Sequence, residues 1–129
     1  MSQANPEQSF FHKLIHTVSE GTRTKIRAYR ERIGEEAAGQ KVAEFIHEGY
    51  TSLLIEHLAV LLDEKGEGWA REQLIDAYQT HADKLSELAL KSARRKGYFH
   101  NEEFNAYAGW ADSEQRTADT LRRESSRPQ

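Results

Sequence analysis

The segment from Trp69 to Lys96 constrains the fold more than any other part of the chain. Over these 28 residues the apolar side chains recur at helical spacing on one nearly constant face, and Gly97 follows directly. A face held over so many turns predicts one long amphipathic helix, since a strand would alternate every second residue. The members of the face are Leu74, Ile75, Tyr78, Ala82, Leu85, Leu88, Ala89 and Ala93.

The remaining pattern is also helical. Pro6 favours a first helix start, Gly21 a stop, and Thr22 or Thr24 a cap for the next helix. The apolar face then shifts by roughly 100° across residues 49–52, too far for a supercoil drift, which predicts a break there. Residues 63–68, "DEKGEG", read as a loop, and Asn101 caps a last helix. We expect an all-α fold, a small bundle of four to six helices with a long central helix pair.

Length and composition indicate one domain. The chain has 129 residues, of which 37% are hydrophobic, enough for one modest core. We expect a disordered N-terminus over 1–5, a single helical domain over 6–123 and a disordered tail over 124–129. A modest core with strong apolar stripes also leads us to expect a homodimer.

Cysteine is absent, which excludes disulfides and thiolate chemistry. The first ten residues lack the basic and apolar regions of a signal peptide, and no apolar run is long enough to span a membrane. We therefore expect a cytoplasmic protein with no membrane partner.

Motifs that could carry chemistry are incomplete. In "DEKGEGWAREQL" a leucine replaces the glutamate that closes a calcium-binding EF-hand loop. His12 and His16 have metal-ligand spacing without the zincin glutamate. Glu44 and His47 form one Glu-x-x-His motif, whose second copy only a homodimer could supply. We therefore predict no catalytic residue, no metal ligand, no cofactor and no enzyme activity.

Two further histidines, His57 and His81, fall on or beside apolar stripes, which is more typical of satisfied core residues than of catalytic ones. Glu56 and Asp76 are possible partners for them.

Charge is distributed unevenly along the chain. Residues 1–34 carry six Lys/Arg against three Asp/Glu, residues 35–90 four against twelve, and residues 91–129 eight against six, giving +3, −8 and +2. Basic segments of this kind can bind nucleic acid, although the whole protein is acidic. The basic candidates are Arg23, Lys25, Arg27, Arg30, Arg32, Arg94 and Arg95.

The cations of residues 22–34 frame an apolar stripe that could pack on the acidic middle of the same chain, on a twin subunit or on another protein. Farther along, five aromatic residues fall within thirteen positions, beside arginines, as in many protein interfaces. They could equally finish a small core. The interface candidates are Ile26, Tyr29 and Ile33 from the stripe, with Tyr98, Phe99, Phe104, Tyr107 and Trp110.

The sequence thus favours a non-enzymatic regulator or adaptor that binds another protein through a helical surface, for example by sequestering a transcription regulator or an enzyme. Two alternatives stay open: a nucleic-acid-associated helical protein that uses the basic segments, and a metal-binding helical bundle.

Overall fold

The computed structural model describes residues 9–125, which form six helices and no strand. The fold class is therefore confirmed: the chain is a small all-α bundle. The helices are α1 (Phe10–His16), α2 (Glu20–Ile33), α3 (Glu35–Glu48), α4 (Thr51–Lys65), α5 (Glu67–Lys96) and α6 (Glu102–Ser125).

The architecture is built on the pairing of α5 with α6, the two longest helices. They form an antiparallel hairpin, and the four shorter helices pack at one end of it. The 30 residues of α5 span roughly 45 Å at 1.5 Å per residue, about twice the length of α3 or α4. The central core accordingly takes residues from only the first part of α5 and the last part of α6. The fully buried large apolar side chains are Phe11, Leu54, Leu58, Leu74 and Leu121.

Beyond this core the hairpin continues as a two-helix projection, which we call the hairpin arm (residues 85–112). Its buried residues, such as Leu85, Ala89, Ala93 and Ala111, lie outside the central core cluster. Alanines along this seam let the two helices approach closely. Among the helices of residues 9–125, no third helix covers the sides of the arm.

Two of the predicted boundaries are confirmed. The helical pattern does break at the predicted place, because Gly49 adopts a left-handed conformation with φ of 78° and accommodates the turn between α3 and α4. Asn101 caps α6, its side-chain oxygen accepting a hydrogen bond from the backbone amide of Phe104 at 2.9 Å.

Other predicted boundaries are wrong. Gly21 does not end a helix: α1 ends at His16, and Ser19 caps α2 by accepting a hydrogen bond from the amide of Thr22, so Gly21 lies in the first turn of α2. The loop predicted over 63–68 is also wrong in extent. Only Gly66 lies outside a helix, because α4 continues to Lys65 and α5 begins at Glu67. Pro6 lies outside the described residues.

The predicted tail also begins too early, because α6 continues to Ser125. Glu124, within the predicted tail, makes tertiary contacts. Its carboxylate accepts hydrogen bonds from the backbone amides of Phe10 and Phe11 at 2.7 and 3.2 Å. It also pairs with the buried Arg71 at 3.1 Å. These contacts hold the end of α6 against the start of α1. Burial alone would raise the pKa of the Glu124 carboxyl, but these hydrogen bonds outweigh that effect and lower it.

Candidate functional site

The far end of the hairpin arm is fixed by one buried asparagine. The side-chain amide of Asn101 donates to the carbonyls of Ser92 and Gly97 at 3.2 and 2.8 Å, while its oxygen accepts from Phe104. Asn101 therefore joins the last turns of α5 to the first turn of α6, and it holds the short connection of residues 97–101 in a defined shape.

Two aromatic side chains stand exposed on this connection. Phe99 is 90% exposed and Tyr98 is 58% exposed. The ring of Tyr98 packs edge-on against Phe104, with centroids 5.0 Å apart, whereas no ring contact to Phe99 exists within residues 9–125. An exposed phenylalanine on an ordered support is a large apolar group that water surrounds, and it gains free energy when a partner covers it.

The other aromatic candidates are divided between the two sides of the arm. Phe104 lies half-buried on the side reached by Tyr98. Trp110, 51% exposed, packs edge-on against His81 with centroids 4.9 Å apart, near the α3–α4 turn. Tyr107 is half-buried. The five predicted aromatic residues thus share one hairpin but do not form a single patch.

Cations surround the exposed aromatics. Arg95 and Lys96 pair with Glu103 at 2.6 and 3.8 Å. Arg94 is exposed and makes no ion pair within the described part of the chain. Glu102 is also exposed here, so the end of the arm presents an apolar group with a border of mixed charge in which three cations stand against two carboxylates.

The apolar stripe of α2 is used within the chain. Ile26, Tyr29 and Ile33 are half-buried, and α2 packs on α4 and α3. The ring of Tyr29 meets the imidazole of His57 edge-on at 6.1 Å. Of the docking surfaces that the sequence left open, the acidic middle of the same chain is the one this structure uses.

Most arginines of α2 have structural partners. Arg23 donates to the carbonyls of Ile15, Val18 and Ala59 at 3.2, 3.3 and 3.5 Å. Arg27 pairs with Glu20 at 3.3 Å.

The last two arginines of α2 contact ring systems. Arg30 meets Nδ1 of His57 at 3.3 Å, and the guanidinium of Arg32 lies 5.5 Å from the ring centre of Tyr29. Lys25 is exposed, without an ion pair inside residues 9–125. The segment that looked like one cationic surface is thus largely engaged in holding α2 in place.

His57 is a buried titratable group whose partners the sequence did not reveal. Its side chain is buried between Tyr29 and Phe45, and Arg30 rather than Glu56 is its polar partner. Burial, followed by the nearby Arg30 charge, lowers the pKa of His57 to about 4. His57 is therefore neutral at pH 7, with Nδ1 accepting from the arginine.

His81 also has a different partner from the one considered. Its Nδ1 lies 2.9 Å from a carboxylate oxygen of Glu114 on α6, so its partner is Glu114 rather than Asp76. This pair links the two long helices where the arm leaves the core.

The metal-motif residues lie apart in the structure. Glu44 and His47 are exposed on α3, and Glu44 contacts Lys41 at 3.6 Å. Nε2 of His12 contacts Glu67 at 3.0 Å, while His16 is exposed. Within residues 9–125 no group of three or more potential ligand side chains is placed to hold a metal ion.

Comparison with family models, curated proteins and solved structures finds no match for the chain in any of the three. Across residues 9–125, none of the helices combines the length and the apolar character needed to cross a membrane.

Proposed function

We propose that this protein is a non-enzymatic regulator or adaptor that binds another protein through the end of its hairpin arm, with Phe99 as the anchor. The observation that carries this proposal is the 90% exposure of Phe99 on a connection that Asn101 holds in place. Aromatic side chains that enter a partner's pocket often dominate the binding energy of an interface.

The segment that carries Phe99 is already ordered before any partner binds, which supports the proposal. Tyr98 packs on Phe104, and the asparagine fixes both helix ends, so binding at Phe99 costs little ordering of this segment. The exposed Arg94 on α5 adds positive charge near the anchor. A partner with an apolar pocket bordered by acidic side chains would fit this surface.

The test is affinity capture from native lysate with nuclease treatment, comparing the unaltered protein with Phe99→Ala and Leu53→Ala. Leu53 is the matched control, an exposed apolar residue on α4. We expect one near-stoichiometric protein partner that Phe99→Ala loses and Leu53→Ala retains. Because both side chains are exposed, circular dichroism should show both variants folded. Retention by Phe99→Ala would refute the assignment of the anchor.

A photo-reactive phenylalanine analogue at position 99 localises the contact. It should crosslink to the same partner, and the analogue at the exposed position Ala106 should not. The nucleic-acid alternative makes a different prediction: bound material would be removed by nuclease, and binding would fall steeply with salt and on reversing Lys25 and Arg32. The metal-bundle alternative predicts metal in the purified protein.

A further inference from the structure

One side of the hairpin arm carries an open groove between α5 and α6. Its volume is about 430 Å³. It is lined by the small side chains of Ser86, Ala89, Ala108 and Ala111, by Leu90 on one rim and Phe104 near the tip, and by the polar Asp112 and Gln115. Leu90 is 45% exposed at this rim. The groove is therefore open and mainly apolar, with polar groups from Asp112 and Gln115 at its end nearer the core, and another helix can pack on such a surface.

The exposed face of α5 beside the groove has a self-complementary charge pattern. Asp83, Glu87, Leu90 and Arg94 recur at intervals of four, three and four residues, so they form one stripe along the helix. Acidic residues precede Leu90 and a basic residue follows it. When a second α5 is laid antiparallel about Leu90, the acids of each copy lie opposite the base of the other.

No charged member of this stripe is held in a close ion pair within the described residues, although Asp83 accepts a hydrogen bond from the Gln79 side chain at 3.0 Å. Glu87 meets Lys91 only at 3.8 Å, and both side chains are well exposed. Arg94 has no ion pair among the described residues. A twofold interface uses the same surface on both subunits and requires such self-complementarity.

We propose that the arm pairs with the arm of a second copy of this chain, antiparallel, with Leu90 of each copy entering the groove of the other. The two arms then form a four-helix bundle whose floor is alanine and whose rim is closed by Glu87 of one copy and Arg94 of its partner. Each copy supplies the leucine that fills the other copy's groove. Self-pairing of this kind needs no second protein, and it is tested separately from partner capture through Phe99.

The test begins with the purified full chain, by sedimentation velocity over a concentration series, for Leu90→Ser and Leu88→Ser. Leu88 is the matched control, because it is 42% exposed on the same helix but points to the opposite side of the arm. Two leucines leave each interface, so we expect Leu90→Ser to raise the dimer dissociation constant by about tenfold or more. Leu88→Ser should leave the constant unchanged. A monomer for the unaltered protein, or equal effects of both variants, would overturn the proposal.

Charge exchange then tests the antiparallel arrangement. Glu87→Arg places like charges together and should weaken the dimer, as should Arg94→Glu. The double variant, which has the net charge of the unaltered chain, should recover the dimer. An equimolar mixture of the two single variants should do the same. A double variant no tighter than the single ones would refute this register, whatever the fate of Phe99 in partner capture.

Discussion

The burial of His57 makes the stability of the fold sensitive to mild acid. The folded-state pKa of this imidazole is about 4, below its unfolded value of 6.5. The unfolded chain therefore takes up the proton first as the pH falls. The contribution of neutral His57 to the free energy of unfolding is fully present above pH 6.5. It declines as the pH falls from 6.5 to 4 and is lost below pH 4. Protonation also converts Nδ1 from an acceptor for Arg30 into a positively charged donor.

The size of the effect follows from the separation of the two pKa values. At 1.36 kcal/mol per pKa unit, the full loss below pH 4 is roughly 3 kcal/mol, and roughly 2 kcal/mol is already lost at pH 5. Urea denaturation at pH 7.5 and pH 5.0 measures this difference, for the unaltered chain and for His57→Gln. Glutamine can still accept a hydrogen bond from Arg30 but does not titrate.

The comparison between the two proteins isolates His57, because all the other titratable groups are present in both. Glu124, whose folded pKa is lowered, contributes stability that is lost only as the pH falls through the carboxylate range. We expect the unaltered chain to lose about 2 kcal/mol more than His57→Gln between the two pH values. Equal losses in the two proteins would refute the assignment of a buried neutral imidazole, even if His57→Gln were less stable at both.

Two further predictions concern the ends of helices. Gly49→Ala should lower the free energy of unfolding more than Gly34→Ala does. Both glycines have positive φ, so both substitutions introduce backbone strain. A Cβ at position 49 would also lie 2.9 Å from the His81 side chain, whereas a Cβ at position 34 would have no heavy atom within 4 Å. We expect a difference of about 1 kcal/mol or more in urea denaturation, and equal losses would contradict the steric reasoning. Asn101→Ala should cost roughly 2 kcal/mol and speed amide hydrogen exchange in the arm, whereas Asn105→Ala, at an exposed helical position, should change little. Unchanged exchange in Asn101→Ala would show that other contacts hold the connection.

Local signals in the sequence predicted the local structure well. The constant apolar face of residues 69–96 corresponds to α5, and the shift of face at residues 49–52 corresponds to the turn at Gly49. The error at Gly21 has a local cause, because Ser19 supplies a cap and a solvent-exposed glycine in a first turn is tolerated. Leu88, which the sequence pattern predicts on the apolar face of α5, lies at the edge of that face and is 42% exposed.

Contacts between distant segments could not be predicted, since periodicity identifies a buried face but not the helix that covers it. Arg30 and His57 are 27 residues apart, and only the packing of α2 on α4 brings them together. Glu124 likewise lies in a polar, arginine-rich stretch that looks like a tail. Its role is visible only when the start of α1 is placed beside it. The division of the aromatic candidates between two sides of one arm has the same origin.

The alanines buried between α5 and α6 explain why the flank of the arm leaves apolar side chains exposed to solvent. Side chains as small as Ala89 and Ala111 bury little area, so two helices joined along them leave Leu90 exposed on the flank, while Phe99 is exposed because it lies on the connection at the tip. A seam of larger side chains would bury more apolar area between the two helices. The arm instead depends on Asn101 at its tip and on the core at its base, and its flank and tip face different directions. Antiparallel pairing about Leu90 would place Phe99, nine residues after Leu90, level with His81, nine residues before it, at the base of the other copy's arm. The two Phe99 side chains then lie on opposite sides of the twofold axis, and a dimer that binds a partner at each gains the avidity that two linked sites provide.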